Sequence, residues 1–96
     1  MGSDVLRLRE TTNPTLSEYD VGIGNIYERD LPDENGVVAP RLSAVLVIHN
    51  PTTGEIRRET VVVGSTVVIG ADRYCVVKLE EGQTSPGWVS VSKLSP

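Results

Sequence analysis

Two side chains in this sequence could together do nucleophilic chemistry: Cys75 and His49, each the single residue of its type. A thiol attacks only when a base within ~2.6–3.2 Å takes its proton and a third group orients that base. The surroundings argue against such a pair. Cys75 stands between Tyr74 and Val76 in an apolar, β-branched run, where a free thiol serves as a small packing group. His49 ends another such run, beside turn residues. One Cys also excludes a disulfide within the chain, and one His leaves too few ligands for a zinc centre. The expectation is a chain without a catalytic residue, a metal or a cofactor.

The carboxylates make no stronger case for catalysis. Asp30, Asp33 and Glu34 share one segment, but acid–base work needs two carboxyls in different environments across a cleft. Residues 30–35 read Asp-Leu-Pro-Asp-Glu-Asn, which lacks the alternating oxygen ligands of a calcium loop. Gly22 and Gly24 have no third glycine and no helix after them, so a phosphate cradle is not expected.

What the acids do offer is a field. Net charge is −4, and it is unevenly placed: residues 1–48 carry eight acids against four Arg, residues 49–96 five of each. Glu18, Asp20, Glu28, Asp30, Asp33 and Glu34 face a single Arg29. Nucleic acids and anionic membranes select clustered Lys and Arg, so neither is an expected partner. The run reads as a solvated face or, more sharply, as a surface for a basic protein. Trp88 and Tyr74 are the other candidates, as an aromatic shelf of the kind favoured at binding sites. With no Phe in the chain, Trp88 equally reads as the largest core filler.

The elements that must position these residues are strands. Fifteen Val and five Ile favour the pleated surface, and no window shows apolar residues at helical spacing. Val5–Arg9 alternates apolar and basic residues, and Thr11–Thr15 ends it in a turn. Tyr19, Val21 and Ile23 share one parity, after which a slip at the glycines brings in Ile26 and signals a bulge. Leu31–Gly36 reads as a loop. Leu42, Ala44, Leu46 and Ile48 line one face of a strand whose other face holds Val45 and Val47, which predicts a central position. Asn50–Gly54 is a hairpin turn, from which Glu55–Val63 returns. Thr66–Ile69, Tyr74–Leu79 and Gly87–Ser92 complete the set, with a polar loop over Glu80–Pro86. Seven strands with short turns predict an all-β fold, a small antiparallel barrel or sandwich. Ninety-six residues make one domain, with residues 1–4 expected to be disordered or a cloning remnant. No run reaches the ~18–20 apolar residues of a membrane helix and no leader with an apolar core opens the sequence. A cytoplasmic location is the expectation.

Gly87-Trp88-Val89-Ser90 with Leu94, preceded by Gly64 and Thr66–Ile69 and by Tyr74–Lys78, resembles the bacterial Src-homology-three-like domains. The likeness spans residues 50–95 and implies a small barrel of that type in the C-terminal half. Ile48-His49-Asn50-Pro51 stands in place of the family's Arg-x-Gly-Pro groove segment. Separately, Asn50-Pro51-Thr52-Thr53-Gly54 is similar to a loop of the chagasin family of cysteine-peptidase inhibitors, although turn chemistry accounts for the same residues.

These readings converge on a non-enzymatic interaction module that binds a protein partner through an aromatic-lined groove or a strand edge. The rival is an acidic inhibitor or immunity-type protein that neutralises a basic partner. A cysteine-peptidase inhibitor acting through Asn50–Gly54 is a minor alternative.

Overall fold

The computed structural model of the chain describes residues 5–82 and 86–94, so the expectation for residues 1–4 and part of the Glu80–Pro86 loop lie outside the described residues. The described residues form eight strands: β1 (Val5–Arg9), β2 (Thr15–Leu16), β3 (Tyr19–Pro32), β4 (Val38–His49), β5 (Ile56–Val61), β6 (Thr66–Ile69), β7 (Asp72–Glu80) and β8 (Trp88–Leu94). They form two antiparallel four-stranded sheets, ordered β1-β8-β7-β6 and β2-β3-β4-β5, one of them curled into a half-barrel. No helix of the described residues is long and apolar enough to cross a membrane.

Strand alternation builds the core. Val21, Ile23, Ala44, Leu46, Ile48 and Val61 face Val67, Ile69, Tyr74, Val76, Val89 and Val91, all 4% exposed or less. Aliphatic branching does here what larger rings do elsewhere. Two bulges keep the pattern inward where a strict period of two would fail. In β3 the register shifts between Gly24 and Tyr27, with Asn25 at φ 55°, so that Ile26 turns inward after Ile23. In β7 the shift between Val76 and Lys78 leaves Val77 exposed and lets Leu79 rejoin the core.

Two sequence expectations are corrected. The Thr11–Thr15 turn is shorter than read, because Thr15–Leu16 forms the eighth strand. It reaches β3 through Ser17 and Glu18, both left-handed at φ 48° and 70°, the turn geometry that matches sheet twist. The Leu31–Gly36 loop is also smaller, since β3 runs on through Pro32 and only residues 33–37 turn. Asp33 closes that turn: its carboxylate accepts from the amides of Asn35 and Val37 at 2.8 and 2.9 Å.

Backbone hydrogen bonds join the two sheets along one side. Residues 10–14 leave β1 and run along β3, with Thr11 N donating to Ile23 O and Val21 N to Pro14 O. On the other side β5 and β6 meet at the 62–65 turn and then part. A second feature extends past the core. The β2 ladder ends at Tyr19–Asp20 and the β5 ladder at Ala44, so Tyr27–Ser43 is a two-stranded arm with both edges unpaired among the described residues. No residue from Tyr27 to Leu42 is buried.

A candidate binding groove at the open edge

The groove lies where β5 and β6 part. Ile48 forms its floor, Ile56 and Arg57 come from β5, and Val68 from β6; Tyr19, Asn50, Glu55 and Gly70 complete a cavity of about 220 Å³. Arg57 shares the inward parity of Ile48, its partner in the ladder. Its guanidinium spans the gap, donating to the Val68 carbonyl and lying 3.3 Å from the Glu59 carboxylate. Ile56 and Val68 line the cavity and stay 64% and 48% exposed, each at an outward register position of its own sheet.

A polar latch flanks the groove. Ser17 Oγ donates to Asp72 Oδ2 at 2.5 Å and lies 2.7 Å from the Tyr74 hydroxyl, and Lys93 Nζ reaches the same carboxylate at 3.4 Å. The Ser17 hydrogen bond holds the Asp72 carboxyl below the usual range, against an opposing effect of burial and with help from the Lys93 charge. Gly70 lets the β2–β3 turn sit down: a Cβ there would lie 2.9 Å from the Ser17 carbonyl. Ser17, Glu18, Tyr19, Gly70 and Asp72 line a second cavity of about 400 Å³. Tyr19 and Gly70 line both, so the two cavities adjoin.

Trp88 and Tyr74 do not form a shelf. Trp88 pairs with Glu80 at one end of β7, six residues or about 20 Å of strand from Tyr74, which is buried at 3%. Trp88 instead lies half-buried under the Arg7 guanidinium, 4.1 Å from its ring centroid, and Arg7 also pairs with Glu80 at 3.2 Å. The six acids are not one face either. Glu18 lies in the β2–β3 turn and Asp20 at the start of β3, while Glu28, Asp30, Asp33 and Glu34 sit on the arm, about 25 Å of strand or more away. Asp20 meets His49 Nδ1 at 3.3 Å. Asp33 serves its own turn, whose amide hydrogen bonds, with the Arg41 charge, hold its carboxyl below the usual range. Cys75 and His49 lie on the outer faces of different sheets, beside inward-facing Tyr74, Val76 and Ile48, so no nucleophile–base pair forms between them.

Asn50–Gly54 is a compact turn. Asn50 Oδ1 accepts from Thr52 N at 2.9 Å, Gly54 N donates to Asn50 O at 2.7 Å, and Gly54 takes φ 80°. Only Asn50 joins the groove, where its Nδ2 donates to the Tyr19 hydroxyl at 3.1 Å. The groove residues Tyr19, Ile56, Arg57 and Val68, and the latch residues Ser17 and Asp72, were not readable as a site. The available signal was Arg57-Arg58-Glu59-Thr60, four polar residues in a strand, which marks an edge. Among the described residues no three His, Cys, Asp or Glu side chains gather as a metal site. Comparison with family models, characterised proteins and solved structures finds no match.

Proposed function

We propose that the protein is a non-enzymatic interaction module that takes an extended segment of a protein partner along the open β5–β6 edge. One observation carries this reading: two strand edges face each other across an open cavity, with exposed Ile56 and Val68 on its rim. An edge strand offers unpaired backbone N–H and C=O groups, which an added strand can satisfy, while side-chain pockets select its sequence. Arg57 occupies one such acceptor, the Val68 carbonyl, and an incoming strand would take its place. The test is selection of extended peptides from a random library, followed by amide-shift mapping. Enriched peptides should perturb residues 55–57 and 68–70, and Ile56→Glu should abolish their binding. Peptides that bind wild type and Ile56→Glu equally would overturn the reading.

A second reading has its own support. Glu28, Asp30 and Glu34 are exposed on the arm without an ion pair among the described residues. A basic partner neutralised by this arm would bind in a steeply salt-dependent way, whereas edge pairing tolerates salt.

A further inference from the structure

We propose that the outer face of the β1-β8-β7-β6 sheet binds an acidic segment of a protein partner, at a surface separate from the β5–β6 groove. Leu8, Tyr74, Val76, Val89 and Val91 are buried in the core, so strand alternation sends their neighbours outward. The ladders then set charge in rows. At one end Arg9 and Glu80 flank Trp88, next Arg7 and Lys78 flank Ser90, and at the other end Arg73 pairs with Leu94. Four cations thus share this face with one carboxylate, although the chain as a whole carries a net charge of −4.

Part of this surface is already fixed for binding. The Arg7 guanidinium lies over the Trp88 ring at 4.1 Å and donates to Glu80 Oε2 at 3.2 Å, while Lys78 Nζ reaches the other oxygen of that carboxylate at 4.0 Å. Glu80 therefore gathers two cations and neutralises one. Ser90 points outward between them yet is 4% exposed, so the side chains on either side close over it. Stacked in this way, Arg7 has little freedom left to lose on binding. Its remaining N–H donors form a planar fork that matches an incoming carboxylate. Arg9 and Arg73 are exposed and have no ion-pair partner among the described residues, so each can take a further acid.

The same face favours a peptide over a nucleic acid. Single strands bind by stacking bases on free aromatic rings. The one ring at these positions, Trp88, already stacks under Arg7, and Tyr74 is buried in the core. Val5 and Val68 are exposed on the face, beside Ser92 and Arg73, and offer contacts to apolar side chains that a phosphate backbone lacks. From the Arg9 row to the Arg73 row is six residues along β8, about 20 Å of strand. The fitting ligand is an extended segment of about that length, with carboxylates set among apolar side chains.

Trp88, the single tryptophan, reports the test. The full chain is titrated at low salt with a capped peptide of about six residues alternating Glu and Val. Its Lys–Val counterpart and a thymidine oligonucleotide of similar length are titrated in parallel. The Glu–Val peptide should shift Trp88 emission saturably, move the amides of Arg7, Lys78 and Ser90, and bind more weakly as salt is added. Arg9→Glu with Arg73→Glu alters exposed side chains, and its amide spectrum should show it folded. That variant should bind the peptide at least about tenfold more weakly, and Arg9→Gln with Arg73→Gln should lose less. No saturable shift up to about 1 mM peptide, the weak limit of specific association, would overturn the proposal. So would equal binding of the Lys–Val peptide, tighter binding of the oligonucleotide, or indifference to the double reversal. Amide shifts centred on residues 55–57 would place the peptide in the groove instead, and Trp88 emission that moves with protein concentration alone would make a second copy the occupant; either result overturns it.

Discussion

Replacing Ser17 by Ala removes the oxygen that ties the β2–β3 turn to β7. In the native latch the Tyr74 hydroxyl donates to Ser17 Oγ, and Ser17 donates to Asp72. Tyr74 is 3% exposed, so losing Ser17 Oγ strands a buried hydroxyl, at about 1–3 kcal/mol. Ala at φ 48° keeps the left-handed penalty of roughly 1–2 kcal/mol that Ser already carries. Ser17→Gly loses the same hydrogen bonds but is released from that penalty, at some cost in unfolded-chain entropy. It should therefore be the more stable of the two by about 1 kcal/mol or less.

The latch also predicts non-additivity. Once Ser17 is Ala, Tyr74→Phe removes the stranded hydroxyl. The double variant should then cost about 1 kcal/mol less than the sum of the single changes. Urea unfolding followed by Trp88 fluorescence is the assay. With a slope of ~1–3 kcal/mol/M, Ser17→Ala should lower the midpoint by about 1 M. Fully additive single changes, or a Ser17→Ala midpoint within error of wild type, would refute the reasoning.

Gly87→Ala should cost at least about 2 kcal/mol, because its Cβ would lie 2.4 Å from the Glu80 carbonyl and 3.0 Å from Ile26 Cδ1; thermal unfolding measures this. Leu46→Ala, at 1% exposure, should cost about 2–5 kcal/mol on the same assay. Asp33 and Asp72 have lowered carboxyl pKa values, so their contribution is complete above the ordinary carboxyl value of 3.8 and is lost as pH falls through the lower folded values. Stability measured by urea midpoint should therefore drop below about pH 4, and a curve still flat there would contradict the assigned hydrogen bonds. Asp33→Asn keeps an acceptor for the Asn35 and Val37 amides and should preserve their hydrogen-exchange protection, whereas Asp33→Ala should abolish it.

Fold class was legible because each strand declares itself within a few residues. Ala44, Leu46 and Ile48 alternate, and the slip from Ile23 to Ile26 announces a bulge that the ladder contains. Pairing was less legible where the turn lacks its usual residues. Ser17-Glu18 carries no Gly or Asn, yet it takes two left-handed residues, held by a hydrogen bond to Asp72, fifty-five positions away. Local composition cannot announce a conformation that a distant carboxylate stabilises.

The groove was hidden for a related reason. An edge is defined by the strand that is missing beside it, and a sequence shows only the strands present. Arg57-Arg58-Glu59-Thr60 signals an edge, but which second edge it faces depends on how β6 leaves the 62–65 turn. Trp88 and Tyr74 misled in the opposite direction. They sit fourteen residues apart on strands that pair, but antiparallel register places Tyr74 across from Lys93 and Trp88 across from Glu80. Antiparallel pairing sets residues equidistant from a turn side by side, with a one-residue slip here at the Val77 bulge. A pair such as Tyr74 and Trp88 can sit side by side only if it obeys that register, and it falls five or six positions short. The aromatic count pointed to a site, and the register dissolves it.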